Sequence, residues 1–587
     1  MRKPIYILGL SCFYHDAAAV LLRDGSIVFA AQEERYTRKK HDENFPKNAI
    51  EHALRAGKIT ATDLSEVVFY EKPFLKFFER ILETQIRVWP RGFRIYHRAM
   101  REWMTKKLWI PQTIKKELCF TKPILFTTHH ESHAASAYCC SGFPDAAIVT
   151  IDGVGEWATT TIGYGKGKEM QILREIRFPH SLGLLYSALT YYLGFKVNSA
   201  EYKVMGLAPY GEPKYMKEMR QLIDLREDGS FELNMSYFTY EYGLTMTGKK
   251  IEQLFGQPAR KSESVLEQFH KDIAASLQKI TEEAMMNIAE YAKKITGSKH
   301  LCLAGGCALN AVANGKILRS GIFEDVFIQP AAGDSGGALG AALAVWHKKY
   351  GGERLPRLET VYLGDEYSAE EIECYLRKRA LPFQRLQERQ IIEKTAELLA
   401  EQNVIGWFQG RMEYGPRSLG NRSILADARN KENLKRVNLK IKFRESFRPF
   451  APTVLAERAA EYFELDRESP FMLLVANARP EKRIEIPAVT HIDGSARIQT
   501  VREDQNPKFY RLLKEFDKRT GCAVLLNTSF NVRDEPIVES PEDALHCFLN
   551  TEMDYLVLGH CLLSKEDMPK SSCGATRRKL DDTMRID

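Results

Sequence analysis

The stretch FTTHHESHAASAY, residues 126–138, places three imidazoles within five positions: His129, His130 and His133. Metal binding and proton transfer are the chemistries open to histidines so closely set. Thr128 followed three residues later by Glu131 has the spacing of a capping box, which predicts a helix starting at His129. On that helix His129 and His133 are four apart and project from one face, while His130 points elsewhere. Two ring nitrogens need one or two oxygen donors to make a site with room for substrate. Asp152, which ends the apolar run of AAIVTIDGVGEW, and Asp334, in a later glycine loop, are the candidates. Imidazole with carboxylate suits Fe(II), with Mn or Zn as further options, better than Mg alone. The HExxH protease pattern is not met, because Glu131 is the third residue of HHESH. The other reading is ordinary hydrogen bonding by helix residues, and spacing alone leaves both open.

Around these residues one strand pattern occurs twice. IYILGLSCFYHDAAAVLLRDGSIVFAAQEE reads as strand, turn, strand, DGS turn, strand, and AAIVTIDGVGEWATTTIGYGKGKEMQILREI reads the same way. The copies look like one module used twice in a domain. Paired first turns offer backbone N–H groups to a polyphosphate, with Gly153 and Gly155 in the second turn and Asp152 holding a metal beside the phosphates. CLAGGCALNAVANGKIL predicts strand, Gly305-Gly306, then a helix with Asn310 and Asn314 one turn apart. FIQPAAGDSGGALGAALAVW predicts strand, a loop holding Asp334, Ser335 and Gly336, then an Ala-rich helix. Glycines before a helix N-terminus suit phosphate binding, although neither stretch is a Walker A loop or a GxGxxG fingerprint. Taken together they predict a nucleotide cleft.

The length of 587 residues predicts at least two domains. With 44% hydrophobic and 27% charged residues the chain has the composition of a soluble globular protein. A net charge of +7 is small for this length and does not by itself argue for nucleic acid. Eleven cysteines without a CxxC pair predict reduced thiols in a cytoplasmic protein. The start, MRKPIYILGL, reads as a first strand rather than a signal peptide. No run reaches the ~20 apolar residues that cross a bilayer.

A boundary is expected in HKKYGGERLPRLET, 347–360, where glycine, proline and charge replace the Ala-rich helix. Beyond it Arg411, Arg417, Arg422, Lys442, Arg444 and Arg448 fall among glycines and aromatics, followed by Arg497 and Arg533. Guanidinium groups on glycine-rich loops suit phosphate and carboxylate recognition. No RNP, KH or zinc-knuckle pattern supports RNA, so no nucleic acid is expected. Residues 74–118, rich in aromatics and Arg/Lys, read as amphipathic helices inserted after the first strand module, with a solvated basic face or a role in acceptor or partner contact.

Taken in order, GLSCFYHDAAAV with His15, HHESHAASAY, TIDGVGEW, EYKVMGLAPYG with Lys203, LAGGCALN and AAGDSGGALGAA resemble the nodulation-factor and aminoglycoside-antibiotic type of O-carbamoyltransferase. The resemblance covers nearly the whole chain. It implies an α/β protein: an N-terminal actin-like (ASKHA) duplicated ββαβ-type domain similar to threonylcarbamoyl transferases, over 1–350 with 74–118 inserted, then an α+β YrdC-like domain over 361–565. Residues 566–587 are expected to be a disordered tail. It further implies that His129, His133, Asp152 and Asp334 bind the metal, that His15 sits at the transfer chemistry, and that Lys203 joins the nucleotide site. Arg417, Arg448, Arg497 and Arg533 would bind carbamoyl phosphate, with Lys442 catalytic. The implied activity makes carbamoyl adenylate from carbamoyl phosphate and ATP, the latter with Mg, and passes the carbamoyl group to a hydroxyl of a small-molecule or glycan acceptor. Alternatives are a tRNA threonylcarbamoyl-type transferase and a catalytically idle actin-like ATP-binding protein. An oligomer is compatible with all three.

Overall fold

The computed structural model describes residues 3–445 and 447–569, so most of the expected tail, residues 570–587, lies outside the described residues. The chain divides into two compact units. The first comprises residues 1–33 and 41–358, the second 34–40 and 359–587.

The first unit is built from two five-stranded mixed sheets with the same topology. Strands Tyr6–Ser11, Ala18–Arg23 and Ser26–Gln32 form an antiparallel meander, and Glu66–Phe69 then Leu125–Phe126 add in parallel beside the first of them. Asp145–Ile151, Ala158–Lys166 and Glu169–Arg177 repeat the meander. His300–Ala304 and Asp325–Ile328 then add in parallel on the corresponding side. Each first strand is thus central and buried on both faces, which is why YILGLS and AAIVTI are almost continuously apolar.

Helices His129–Tyr138 and Asp334–Tyr350 pack against each other. Their approach depends on glycine: a Cβ on Gly340 would lie 1.7 Å from the Ser132 carbonyl oxygen, and one on Gly337 2.6 Å from the Tyr70 ring. The expected Asp/Ser/Gly loop is therefore a correction. Asp334, Ser335 and Gly336 already form the first turn of the helix, and the small residues serve close packing. Gly336 itself has no room for a Cβ, which would sit 2.0 Å from the Ala331 carbonyl oxygen.

The second unit holds an eight-stranded mixed sheet in the order Gln384–Arg385, Cys561–Ser564, Tyr555–Leu558, Ile405–Phe408, Arg422–Asp427, Val524–Ser529, Ala451–Leu455 and Gln499–Val501. Trp407, Ile424, Val454 and Phe516 lie in its core. The expected contiguous first domain, 1–350, is interrupted. Residues 34–40, ERYTRKK, belong to the second unit, where Arg35 is buried and donates to the Gly415 carbonyl at 2.6 Å. Arg38 donates to the carbonyls of Ile537 and Pro536 at 2.7 and 2.8 Å. Buried guanidinium groups that find carbonyl acceptors fix this segment, and no local sequence signal marks such pairing. No helix among the described residues is long and apolar enough to cross a membrane.

Candidate functional site

Helix His129–Tyr138 begins where the capping box places it, with the Thr128 N–H donating to the Glu131 carboxylate at 3.3 Å. Its N-terminus is also held by Glu156, whose two oxygens each accept from the His129 N–H at 3.0 Å. A carboxylate there offsets the positive end of the helix dipole. His129 and His133 are buried on one face, with their Nε2 atoms 3.1 Å apart. His130 is separate. Its ring pairs with the Thr150 hydroxyl and the Ala158 carbonyl, and burial together with the two neighbouring imidazoles lowers its pKa to about 3.

Asp152 follows strand Asp145–Ile151, and Asp334 opens the helix after strand Asp325–Ile328. The matching ends of parallel neighbours therefore bring both acids to the histidines. Asp152 Oδ2 lies 2.8 Å from His129 Nε2 and 3.6 Å from His133 Nε2. Asp334 Oδ1 lies 3.9 and 3.8 Å from the same nitrogens. Four donors each about 2.1 Å from one ion would be spaced about 3.0–3.4 Å apart at ordinary ligand angles; the edges seen here run from 2.8 to 3.9 Å, so shifts of about half an ångström would let these four hold one divalent cation.

The supporting contacts fit too. Each carboxylate keeps one oxygen toward the histidines while the other is anchored: Asp152 Oδ1 accepts from the Gly306 N–H at 2.8 Å, and Asp334 Oδ2 from the Tyr70 hydroxyl at 3.0 Å. Glu71 Oε2 lies 3.6 Å from His129 Nδ1, and Lys76 donates to it at 2.7 Å. Burial pushes the Glu71 carboxyl up, but Lys76 and His129 hold it down at about 2, so it stays ionised. This carboxylate behind a candidate ligand imidazole was not foreseen from the sequence, nor was Tyr70; single residues after a short strand carry no pattern. Glu71→Gln is expected to weaken metal binding about 10–100-fold, measured by competition with a chelating dye. Unchanged affinity would remove Glu71 from the site.

In the metal-free protein, burial pulls the His129 pKa down, yet Asp152 and Glu71 raise it to about 10. The proton must leave before the ring can ligate. Metal affinity should therefore rise with pH, about tenfold per unit between roughly 6 and 8, with about one proton released per ion. Calorimetry in two buffers of different ionisation enthalpy checks this, and a pH-independent affinity would refute it.

Asp16 lies beside the N-terminus of helix Asp334–Tyr350, where a Cβ on Gly333 would be 3.8 Å from its Oδ2, and the neighbouring His15 feels the charge of Asp334. Its Nε2 is 3.0 Å from the Asn198 carbonyl oxygen and its Nδ1 is 3.2 Å from Asp16 Oδ2. Both partners only accept, so His15 donates from both nitrogens. Burial lowers its pKa, but Asp16 outweighs burial and raises it to about 10. His41 Nδ1 meets the other oxygen of Asp16 at 2.8 Å. Sequence reading singled out neither Asp16 nor His41.

Of the glycines assigned to a nucleotide, Gly153 faces open space, while Gly155 lies against His129 and Gly305 against Ile151 with a φ of +88°. Asn310 caps helix Ala311–Arg319 through the Ala313 N–H at 3.1 Å and pairs with Gln278. Lys203 and Ser335 are buried, with the Lys203 ammonium 5.8 Å from the Phe195 ring centre.

In the second unit Arg497, on strand Ser495–Arg497, feels Arg417 and Arg448. Desolvation and these like charges push its guanidinium well below the ordinary range. No carboxylate among the described residues pairs with it. Lys442 is buried and donates to the Ser529 and Asn531 carbonyls at 2.6 and 2.9 Å. Desolvation and then Arg444 depress its pKa, and Arg448 and Lys40 add to the effect. Arg533 follows on the same loop as Asn531, with its Nε 3.5 Å from Asp534. Arg422 is instead a core residue, donating to the carbonyls of Gln409 and Gly410.

Residues 6–343 match the family model described as carbamoyltransferase N-terminus, and residues 396–565 match carbamoyltransferase C-terminus. The chain is 52% identical to protein sll1178 of Synechocystis, covering 96% of this chain and 97% of that one. It is 40% identical to nodulation protein NolNO of Sinorhizobium fredii, covering 94% and 79%. With the 3'-hydroxymethylcephem-O-carbamoyltransferase of Streptomyces clavuligerus identity is 28%, covering 93% and 96%.

Proposed function

The chain belongs to the carbamoyltransferase family and is an enzyme of that type, and from this we propose that it is an ATP-dependent O-carbamoyltransferase working in two half-reactions. The observation that carries the reading is Arg497, a desolvated guanidinium on which Arg417 and Arg448 act as like charges. Glu445 lies 3.6 Å from Arg448 and offsets one of these three charges, and a polyanion such as carbamoyl phosphate or ATP would complete the balance. In the first half-reaction Arg417, Arg448 and Arg497 hold phosphate oxygens and stabilise the charge that grows on the leaving groups. Lys442, fixed by the Ser529 and Asn531 carbonyls, adds an N–H donor beside them. Carbamoyl phosphate loses phosphate to water, the freed carbamate oxygen attacks the α-phosphorus of ATP, and pyrophosphate leaves. The product is carbamoyl adenylate.

The second half-reaction belongs to the first unit, whose duplicated sheets support an actin-like, nucleotide-binding reading; a YrdC-like second unit is the corresponding proposal. A divalent ion, Fe(II) by preference or Mn or Zn, would be held by His129, His133, Asp152 and Asp334 and would supply fixed positive charge beside the adenylate phosphate. An acceptor hydroxyl attacks the carbamoyl carbon, the bond to the adenylyl oxygen breaks, and AMP leaves, its phosphate taking up the proton lost by the hydroxyl. His15, protonated on both nitrogens between Asp16 and Asn198, serves this step as a proton-bearing cation that steadies charge on the carbamoyl oxygen or on departing AMP. The acceptor is a hydroxyl-bearing small molecule or glycan. Supplying carbamoyl phosphate and ATP, with Mg but without acceptor, should yield pyrophosphate and carbamoyl adenylate. Absence of both from metal-replete enzyme would defeat the scheme.

A further inference from the structure

We propose that the helical segment 74–118 is an interfacial docking face for an anionic lipid surface. The segment carries eleven Lys and Arg against four Glu, a surplus of seven that equals the formal charge of +7 on the whole chain. The remainder of the protein is thus electrically balanced, and its attraction to an anionic surface is concentrated here.

The same segment exposes apolar side chains. Phe78, Ile86, Trp89, Phe93, Met104 and Trp109 are 53–77% exposed. On helix Phe93–Thr105, Phe93, Met100 and Met104 recur at i, i+7 and i+11 and so form one stripe along the axis. Arg94, Arg98 and Arg101, all exposed, form the stripe next to it. Trp103 points inward, with its ring 5.5 Å from Phe77 and 6.1 Å from Tyr14. The helix therefore has three faces: one buried, one apolar and exposed, one cationic and exposed.

An apolar stripe flanked by arginines, with Trp and Phe at its ends, matches the boundary between lipid headgroups and acyl chains. There the rings enter the hydrocarbon edge while the guanidinium groups meet phosphates. An acidic protein would satisfy the charges but would leave exposed a stripe that runs the length of the helix. At its root the segment is tied to the donor cluster, through Lys76 to Glu71 and through Arg80 to the Gly155 carbonyl. Docking thus fixes that cluster relative to the lipid surface.

The test uses the full chain and needs neither substrate nor metal, so its outcome is independent of the proposed reaction. The protein is sedimented with sucrose-loaded vesicles of phosphatidylglycerol mixed with phosphatidylcholine, and with vesicles of phosphatidylcholine alone. Binding to the anionic vesicles is expected, weakening with added salt. Reversing Arg94, Arg98 and Arg101 to Glu should lower the partition coefficient more than about tenfold. Should that variant not fold, F93S/M104S tests the apolar stripe in its place, with a loss of similar size. Adenylate formation should be unaffected in either. Three results would overturn the proposal: no binding to anionic vesicles at low salt, equal binding to both vesicle types, or variants that partition like the parent.

Discussion

Replacing His133 with Ala is expected to strip the ion from the first unit and to slow carbamoyl transfer about 10²–10³-fold, while adenylate formation changes by less than about a factor of two. His133 Nε2 lies 3.1 Å from His129 Nε2 and 3.6 Å from Asp152 Oδ2, so the substitution removes one of four converging donors. His129, Asp152 and Asp334, which surround His133, belong to the first unit, whereas Arg417, Arg448 and Arg497 belong to the second. Elemental analysis, pyrophosphate release and product mass separate the three readouts. Because His133 is fully buried, a thermal melt must accompany them, to tell loss of the ion from loss of the fold. Equal damage to both half-reactions in a folded variant would argue against two separate centres.

Arg497→Ala should do the reverse. Adenylate formation should fall by about 10²–10³-fold, since the proposed charge-assisted contact to the donor's phosphate would be lost, with metal content unchanged. Stability gives an independent readout. Desolvation and the charges of Arg417 and Arg448 all disfavour the ligand-free guanidinium, so its removal should leave the melting temperature of the free protein unchanged or higher. Inorganic phosphate or ATP, which should stabilise the parent by binding the native state, should lose that effect in the variant. Arg497→Lys keeps the charge without the paired donors and should fall between the two. A variant with full adenylate formation would remove Arg497 from the donor site. One that melts well below the parent would show that Arg497 itself has an internal partner.

What could be read locally was read well. Thr128 and Glu131 mark the start of the histidine helix because capping depends on a three-residue spacing, and His129 and His133 share a face because an α-helix has 3.6 residues per turn. Both three-stranded meanders were legible from apolar runs broken by Gly and Asp. The glycine stretches were also visible, and the structure adds local roles within them: Asn310 caps a helix and Gly336 leaves no room for a Cβ. Composition and spacing cannot distinguish a glycine that admits a phosphate from one that admits a neighbouring backbone.

By itself the sequence determined the periodic features: strand and helix identity, the paired imidazoles, the concentration of charge in 74–118 and, by resemblance, the family. Only the tertiary structure decided which distant residues meet. Asp152 and Asp334 reach the histidines because strands Asp145–Ile151, His300–Ala304 and Asp325–Ile328 lie side by side in parallel, an order fixed by sheet formation across more than a hundred residues. The same holds for Glu71 behind His129, Asp16 between two imidazoles, and residues 34–40 in the second unit. Local periodicity arises from bonds between near neighbours along the chain. Convergence arises from long-range burial and strand pairing, which leave no repeat in the sequence to read.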